Sequence, residues 1–107
     1  MSAASVSISP AARADLDDYV LWLRAEADAE TAARFAVAAD TTFNKLAQSP
    51  RIAPAAGSRQ VRLKTIRKWK VAGFPKMLIF FDLLADGIEI IRVLHAAADW
   101  WAILDIE

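Results

Sequence analysis

The chain has 107 residues, 56% of them hydrophobic, with 13 basic and 13 acidic side chains that cancel to zero net charge. That length and apolar content support one folded domain over residues 1–107 with a modest core, and they argue against a disordered chain. The lack of cysteine excludes disulfides and thiolate metal ligands, and zero net charge argues against a plain nucleic-acid binder.

Residues 1–6 carry neither a basic stretch nor an apolar run of the kind a secretory signal needs, so a cytoplasmic protein is expected. Val6 and Ile8 alternate with Ser5, Ser7 and Ser9, which predicts a short strand. Ser9 is a helix-capping residue, and Pro10 suits the first helical position because its missing N–H has no partner there anyway. Leu16, Tyr19, Val20 and Leu23 then form one apolar stripe, predicting a first helix to Ala27. Asp28 caps a second helix, whose stripe runs through Ala32, Phe35, Ala36, Ala39, Phe43 and Leu46 to a stop at Ser49-Pro50. The gap between the two is so short that they form an antiparallel hairpin.

Residues 51–58 read as a loop. From Val61 the period becomes that of extended chain, with Leu63 and Ile66 beginning it and Trp69-Lys70-Val71 continuing it. Gly73-Phe74-Pro75 marks a turn, residues 77–84 a strand, Asp86-Gly87 a hairpin turn, and residues 88–95 the returning strand. Residues 97–104 read as a short terminal helix or docked tail. The order β-α-α-β-β-β predicts an α+β fold: an N-terminal strand and a helical hairpin packed on a small antiparallel sheet, with a short C-terminal helix or tail.

Charge is unevenly spread. Residues 59–76 hold seven basic side chains (Arg59, Arg62, Lys64, Arg67, Lys68, Lys70 and Lys76) and no acid. Charge on an edge strand protects against aggregation, but seven cations exceed that need and point to a binding surface. Trp100 and Trp101 are adjacent, and neighbouring helix residues point about 100° apart, so both cannot be fully buried in so small a domain. With Trp69 they are candidate anchors for a partner.

Ordinary catalytic sets are missing from the sequence. One histidine and no cysteine make no metal site, the three glycines make no phosphate loop, and no serine sits in a nucleophile-elbow motif. RNA cleavage needs only a base and cations for the phosphorane, for which His95, Arg92, Arg67 and Lys70 are the candidates. Each has a structural alternative. A strand-end histidine commonly serves a hydrogen bond. Alternation sets Glu89, Ile91, Val93 and His95 on one strand face and Ile88, Ile90, Arg92 and Leu94 on the other. Arg92 among apolar neighbours then needs an ion pair with a helix carboxylate such as Asp15 or Asp18.

Three stretches resemble the ParE/RelE toxins of type II toxin–antitoxin systems: Ser9-Pro10-Ala11-Ala12 leading to Asp15-Leu16; Arg67-Lys68-Trp69-Lys70-Val71 with Phe74-Pro75-Lys76 and Leu78-Ile79-Phe80-Phe81; and residues 86–95 followed by Ala96-Ala97-Ala98-Asp99. Two departures stand out. Relatives usually carry Arg where this chain has Ala98, and many carry Tyr where it has Phe81. RelE-like nucleases often place a functional Tyr or His near the C-terminus, whereas here only carboxylates titrate beyond Asp99. The resemblance therefore implies the ParE-like branch: a toxin without cofactor or metal that binds DNA gyrase and is neutralised by a cognate antitoxin. Its implied contact residues are Arg62, Lys64, Arg67, Lys68, Trp69, Lys70, Trp100 and Trp101. The alternatives are a RelE-like ribosome-dependent mRNA endonuclease and an inactive relative of the toxin fold.

Overall fold

The computed structural model describes residues 4–58 and 60–106, without the side chains of Arg62 and Ile106. The expected contribution of Arg59, and of the Arg62 side chain, therefore lies outside the described residues. Strand β1 (Ser5–Ile8) leads into helix α1 (Pro10–Glu26) and helix α2 (Ala29–Gln48). After them come β2 (Arg67–Val71), β3 (Phe74–Leu84), β4 (Gly87–His95) and a short helix α3 (Trp100–Ile106). This is the α+β order expected.

Both long helices start where the capping chemistry places them. The Ser9 hydroxyl accepts the Ala12 N–H at 3.0 Å and donates to the Ile91 carbonyl at 2.8 Å, so one side chain caps α1 and pins it to β4. Asp28 accepts the Thr31 N–H at the start of α2. That bond, first from the backbone N–H and then from the Thr31 side chain, holds the Asp28 carboxyl below its ordinary 3.8.

The sheet has the order β1-β4-β3-β2. Strands β2, β3 and β4 are antiparallel neighbours, but β1 runs parallel to β4, from Ser5 opposite Gly87 to Ile8 opposite Ile90. The sheet is thus mixed rather than wholly antiparallel. A parallel neighbour requires a long crossover, and the helical hairpin with the segment after it supplies one. Close approach at this pairing explains Gly87: a Cβ there would run into the Ser5 carbonyl.

Two further expectations are corrected. Residues 61–63 form a 3-10 turn instead of extended chain. The β2–β3 turn is at Ala72-Gly73, with Gly73 at φ +81°, so Phe74 and Pro75 already belong to β3. The Thr42 hydroxyl, buried on α2, donates to the Ala38 carbonyl and accepts the Ala72 N–H at 3.1 Å, tying that turn to the helices.

Both sheet faces are covered. The main core lies between the helical hairpin and the sheet, around Phe35, Phe43, Ile79, Phe81 and Ile90. A smaller core on the opposite face gathers Leu63, Ile66, Phe80, Leu94 and Leu104 under α3. A β-bulge decides which residues of β4 go where. Phe80 pairs with Arg92 and Phe81 with Ile90, so Ile91 is the extra residue. Simple alternation therefore fails along β4: Ile88, Ile90 and Val93 join the helix-side core, while Ile91 and Leu94 pack on the α3 side.

Candidate interaction surface

Strand β2 divides the expected contact residues between the two faces. Lys68 pairs with Phe80 and Lys70 with Leu78, residues of the α3 side, whereas Trp69 packs half-buried on the helix-side core. Trp69 therefore does not share a surface with Trp100 and Trp101. Arg67 is spent locally, donating through Nη1 to the Ala53 carbonyl at 2.6 Å. Residues 53–56 line the outer edge of β2 here, with Lys68 N–H donating to the Pro54 carbonyl and Ala56 N–H to the Ile66 carbonyl.

On the α3 side the pieces converge. Lys68 Nζ stands over the Trp100 ring, 4.4 Å from its centroid. Trp100 rests on Phe80 with ring centroids 5.5 Å apart, and Trp101 meets Phe80 edge-on at 6.5 Å. The two indoles are nearly perpendicular, at 82°, and each stays half-buried, as adjacent helix positions require. Lys64 and Lys70 are exposed, whereas Lys76, also exposed, lies beside Tyr19, Phe74 and Met77. The result is a preformed patch in which apolar rings and ammonium groups reach solvent together.

This face is not uniformly basic. Asp82 pairs directly with Glu89 across β3 and β4, two carboxylates at one register position. Asp82 accepts the Thr65 hydroxyl at 3.1 Å. Directly opposed like charges are unfavourable in a sheet, so the surface is electrostatically split, cationic along β2 and anionic between β3 and β4.

Two of the candidates for chemistry, Arg92 and His95, are held by structural bonds. Arg92 reaches Asp15 on α1 through Nε and Nη2, both at 2.7 Å, the ion pair anticipated from its apolar setting. His95 is exposed, its Nδ1 accepting the Ala97 N–H at 3.0 Å and its carbonyl accepting the Trp100 indole N–H at 3.1 Å. It organises the turn into α3. Where relatives carry Tyr, Phe81 is fully buried among apolar side chains, a setting without water for a hydroxyl. Ala98, in place of the usual Arg, packs on the α3-side core.

A second surface escaped the sequence reading. Leu21, Trp22 and Val37 are 62%, 54% and 67% exposed. Trp22 stacks on Tyr19 at 5.6 Å, Tyr19 meets Phe35 edge-on at 4.8 Å, and Phe35 meets Phe74 at 5.1 Å. The available signal was negative: Leu21, Trp22 and Val37 fall off the apolar stripes that define the buried helix faces.

Among the described residues, no helix is long and apolar enough to cross a membrane. No curated protein matches the chain. A solved structure described as the "Chromosomal ParDE TA system from P. aeruginosa" superposes with a TM-score of 0.70, covering 87% of this chain and 96% of that one. The two sequences are 17% identical, so this likeness is one of fold. The sequence profile described as "ParE toxin of type II toxin-antitoxin system, parDE" matches residues 6–100. Running from Val6 in the first strand to Trp100, that match carries the conclusion that the chain belongs to the ParE toxin family of type II toxin–antitoxin systems.

Proposed function

We propose that this toxin binds DNA gyrase and holds it on cleaved DNA, so that gyrase supplies the chemistry and the toxin supplies a surface. Family membership supports the target. The observation that carries the mode of action is the Lys68–Trp100–Phe80 stack beside exposed Lys70. Aromatic rings interleaved with cations make a preorganised anchor for a protein partner, where Trp concentrates binding energy. The contact set is Lys64, Lys68, Lys70, Trp100 and Trp101, acting in the cytoplasm, with a cognate antitoxin masking the toxin.

The second reading, a RelE-like mRNA endonuclease, requires a base and cations to meet at one phosphate. Three of its four candidates are engaged apart from one another, Arg92 with Asp15, Arg67 with Ala53, and His95 Nδ1 with its own turn, while Lys70 stays exposed. Purified toxin assayed in parallel for gyrase supercoiling with DNA breakage and for mRNA cleavage on ribosomes separates the two. Inhibited supercoiling with intact message is the expected result. Cleaved message with untouched supercoiling replaces this reading with the nuclease, and neither effect identifies an inactive relative.

A further inference from the structure

The α3-side patch holds more cations than its aromatic anchor uses. Lys68 stands over Trp100. Lys70, two residues along the same face of β2, is exposed, as is Lys64, carried between Leu63 and Ile66 of the small core. Among the described residues, neither Lys64 nor Lys70 makes an ion pair. The sequence leaves this row uncompensated, since no acidic residue stands between Asp40 and Asp82. On the sheet the positive row stops at the paired carboxylates of Asp82 and Glu89. Beside it Trp101 is half-buried, so part of its indole stays open to solvent.

We propose that Lys64, Lys68, Lys70 and the open part of Trp101 contact a single strand of DNA, the strand exposed where gyrase holds a break. The proposal rests on the gyrase reading above and divides its contact set: Trp100 remains the anchor on the protein, while the lysines and Trp101 meet the nucleic acid. Three features select this ligand. Lysines two residues apart on one strand face stand about 7 Å apart. They form a line of one sign, which suits a polyanion whose phosphates recur along a line, whereas the surface of a folded protein ordinarily mixes both signs. An indole stacks on any base, so Trp101 needs no particular sequence. Finally, the carboxylates of Asp82 and Glu89 repel phosphate, so one strand can follow β2 while a duplex lying across the sheet is disfavoured. Zero net charge keeps the toxin's affinity for bulk DNA low, which confines the contact to DNA that gyrase presents.

Fluorescence anisotropy of labelled oligonucleotides with purified toxin, between about 50 and 200 mM salt, provides the test. The probes are a single DNA strand, the blunt duplex of the same sequence and the matching RNA strand. The single DNA strand should bind at least about fivefold tighter than the duplex, as one stacked base allows. Its affinity should fall with salt. Lys64→Ala and Lys70→Ala should each lower the log–log slope by about 0.7, one phosphate contact apiece. Lys45→Ala removes an exposed cation on α2 and should leave the slope unchanged. Trp101→Ala should weaken the single strand about fivefold or more and leave the duplex nearly unchanged. An equal slope change in Lys45→Ala reduces the effect to net charge and overturns the proposal, as does equal or tighter binding of the duplex. Tenfold tighter binding of the RNA overturns DNA as the ligand. Failure to bind any strand overturns it too, and capture by DNA-free gyrase that Lys70→Ala weakens assigns the row to protein instead. If Trp101→Ala fails to fold in thermal melting, the lysine variants still decide. A toxin that binds the strand and leaves supercoiling untouched refutes the gyrase target alone, since the anisotropy stands without it.

Discussion

Asp15 and Arg92, 77 residues apart, are joined by two 2.7 Å contacts, and the same carboxylate accepts the Val93 N–H at 2.9 Å. Strand β1 pairs with β4 only as far as Ile90. Beyond that point a helix side chain serves the strand edge, so Asp15 continues the ladder that β1 leaves. With side chains 20% and 13% exposed, the pair is well shielded from water.

Replacing Asp15 with Ala strips Arg92 of this carboxylate and leaves the Val93 N–H unsatisfied. The expected cost is about 3 kcal/mol, the usual penalty for breaking one side of a shielded pair. Urea denaturation would measure it, and a loss below 1 kcal/mol would show that water replaces the carboxylate.

Gly87→Ala tests the close approach of β1. The added methyl meets the Ser5 backbone, which cannot yield without unzipping the parallel pair. A destabilisation of about 2 kcal/mol or more is expected. Hydrogen exchange should show it at the Ser5 amide, which donates to the Asp86 carbonyl, while the β3–β4 ladder stays protected. Uniform loss across the sheet would mean that β1 is not an independent unit.

Lys68→Glu places a carboxylate over the Trp100 ring and reverses the charge of the patch. Being half-buried and outside both cores, this side chain is expected to leave the thermal midpoint nearly unchanged while gyrase inhibition weakens about tenfold or more. Trp101→Ala should weaken inhibition similarly. A large drop in stability in either variant would make the residue part of the scaffold.

The Asp28 cap predicts a signed pH effect. Its carboxyl is lowered in the folded state by the Thr31 bonds, so ionised Asp28 contributes stability above its unfolded value. That contribution is lost as pH falls through the folded value, below 3.8. Asp28→Asn keeps a capping acceptor and removes the titration, so stability should fall less steeply between pH 5 and 2.5 than in wild type. Equal slopes would show that the cap carries no pH dependence.

Much of this architecture was legible in the chain because it is written in short-range chemistry. Ser9, Pro10 and Asp28 announce helix starts by which backbone N–H groups they can satisfy. Asp86-Gly87 announces a hairpin, although the turn itself is Ala85-Asp86 and Gly87 opens β4, where Ser5 and not a positive φ demands a glycine. The partner demanded by Arg92 was also legible, since a guanidinium among apolar neighbours requires a carboxylate. The cationic run of residues 59–76 was visible, but not whether Lys68 and Lys70 or Trp69 would face the helical hairpin. Period-2 alternation does not say which face a helix will cover.

What the sequence alone determined, then, is the order of elements, the bounds of the two long helices, and the kinds of residue offered to a partner. Tertiary structure decided the rest: the parallel seat of β1, the bulge that redirects β4, the carboxylates of Asp82 and Glu89 on the lysine face, and the exposure of Trp22 and Val37. Each depends on strand direction, register or packing between residues far apart in the chain. Those quantities are set by the joint closing of two cores around one sheet, and no local run of side chains encodes them.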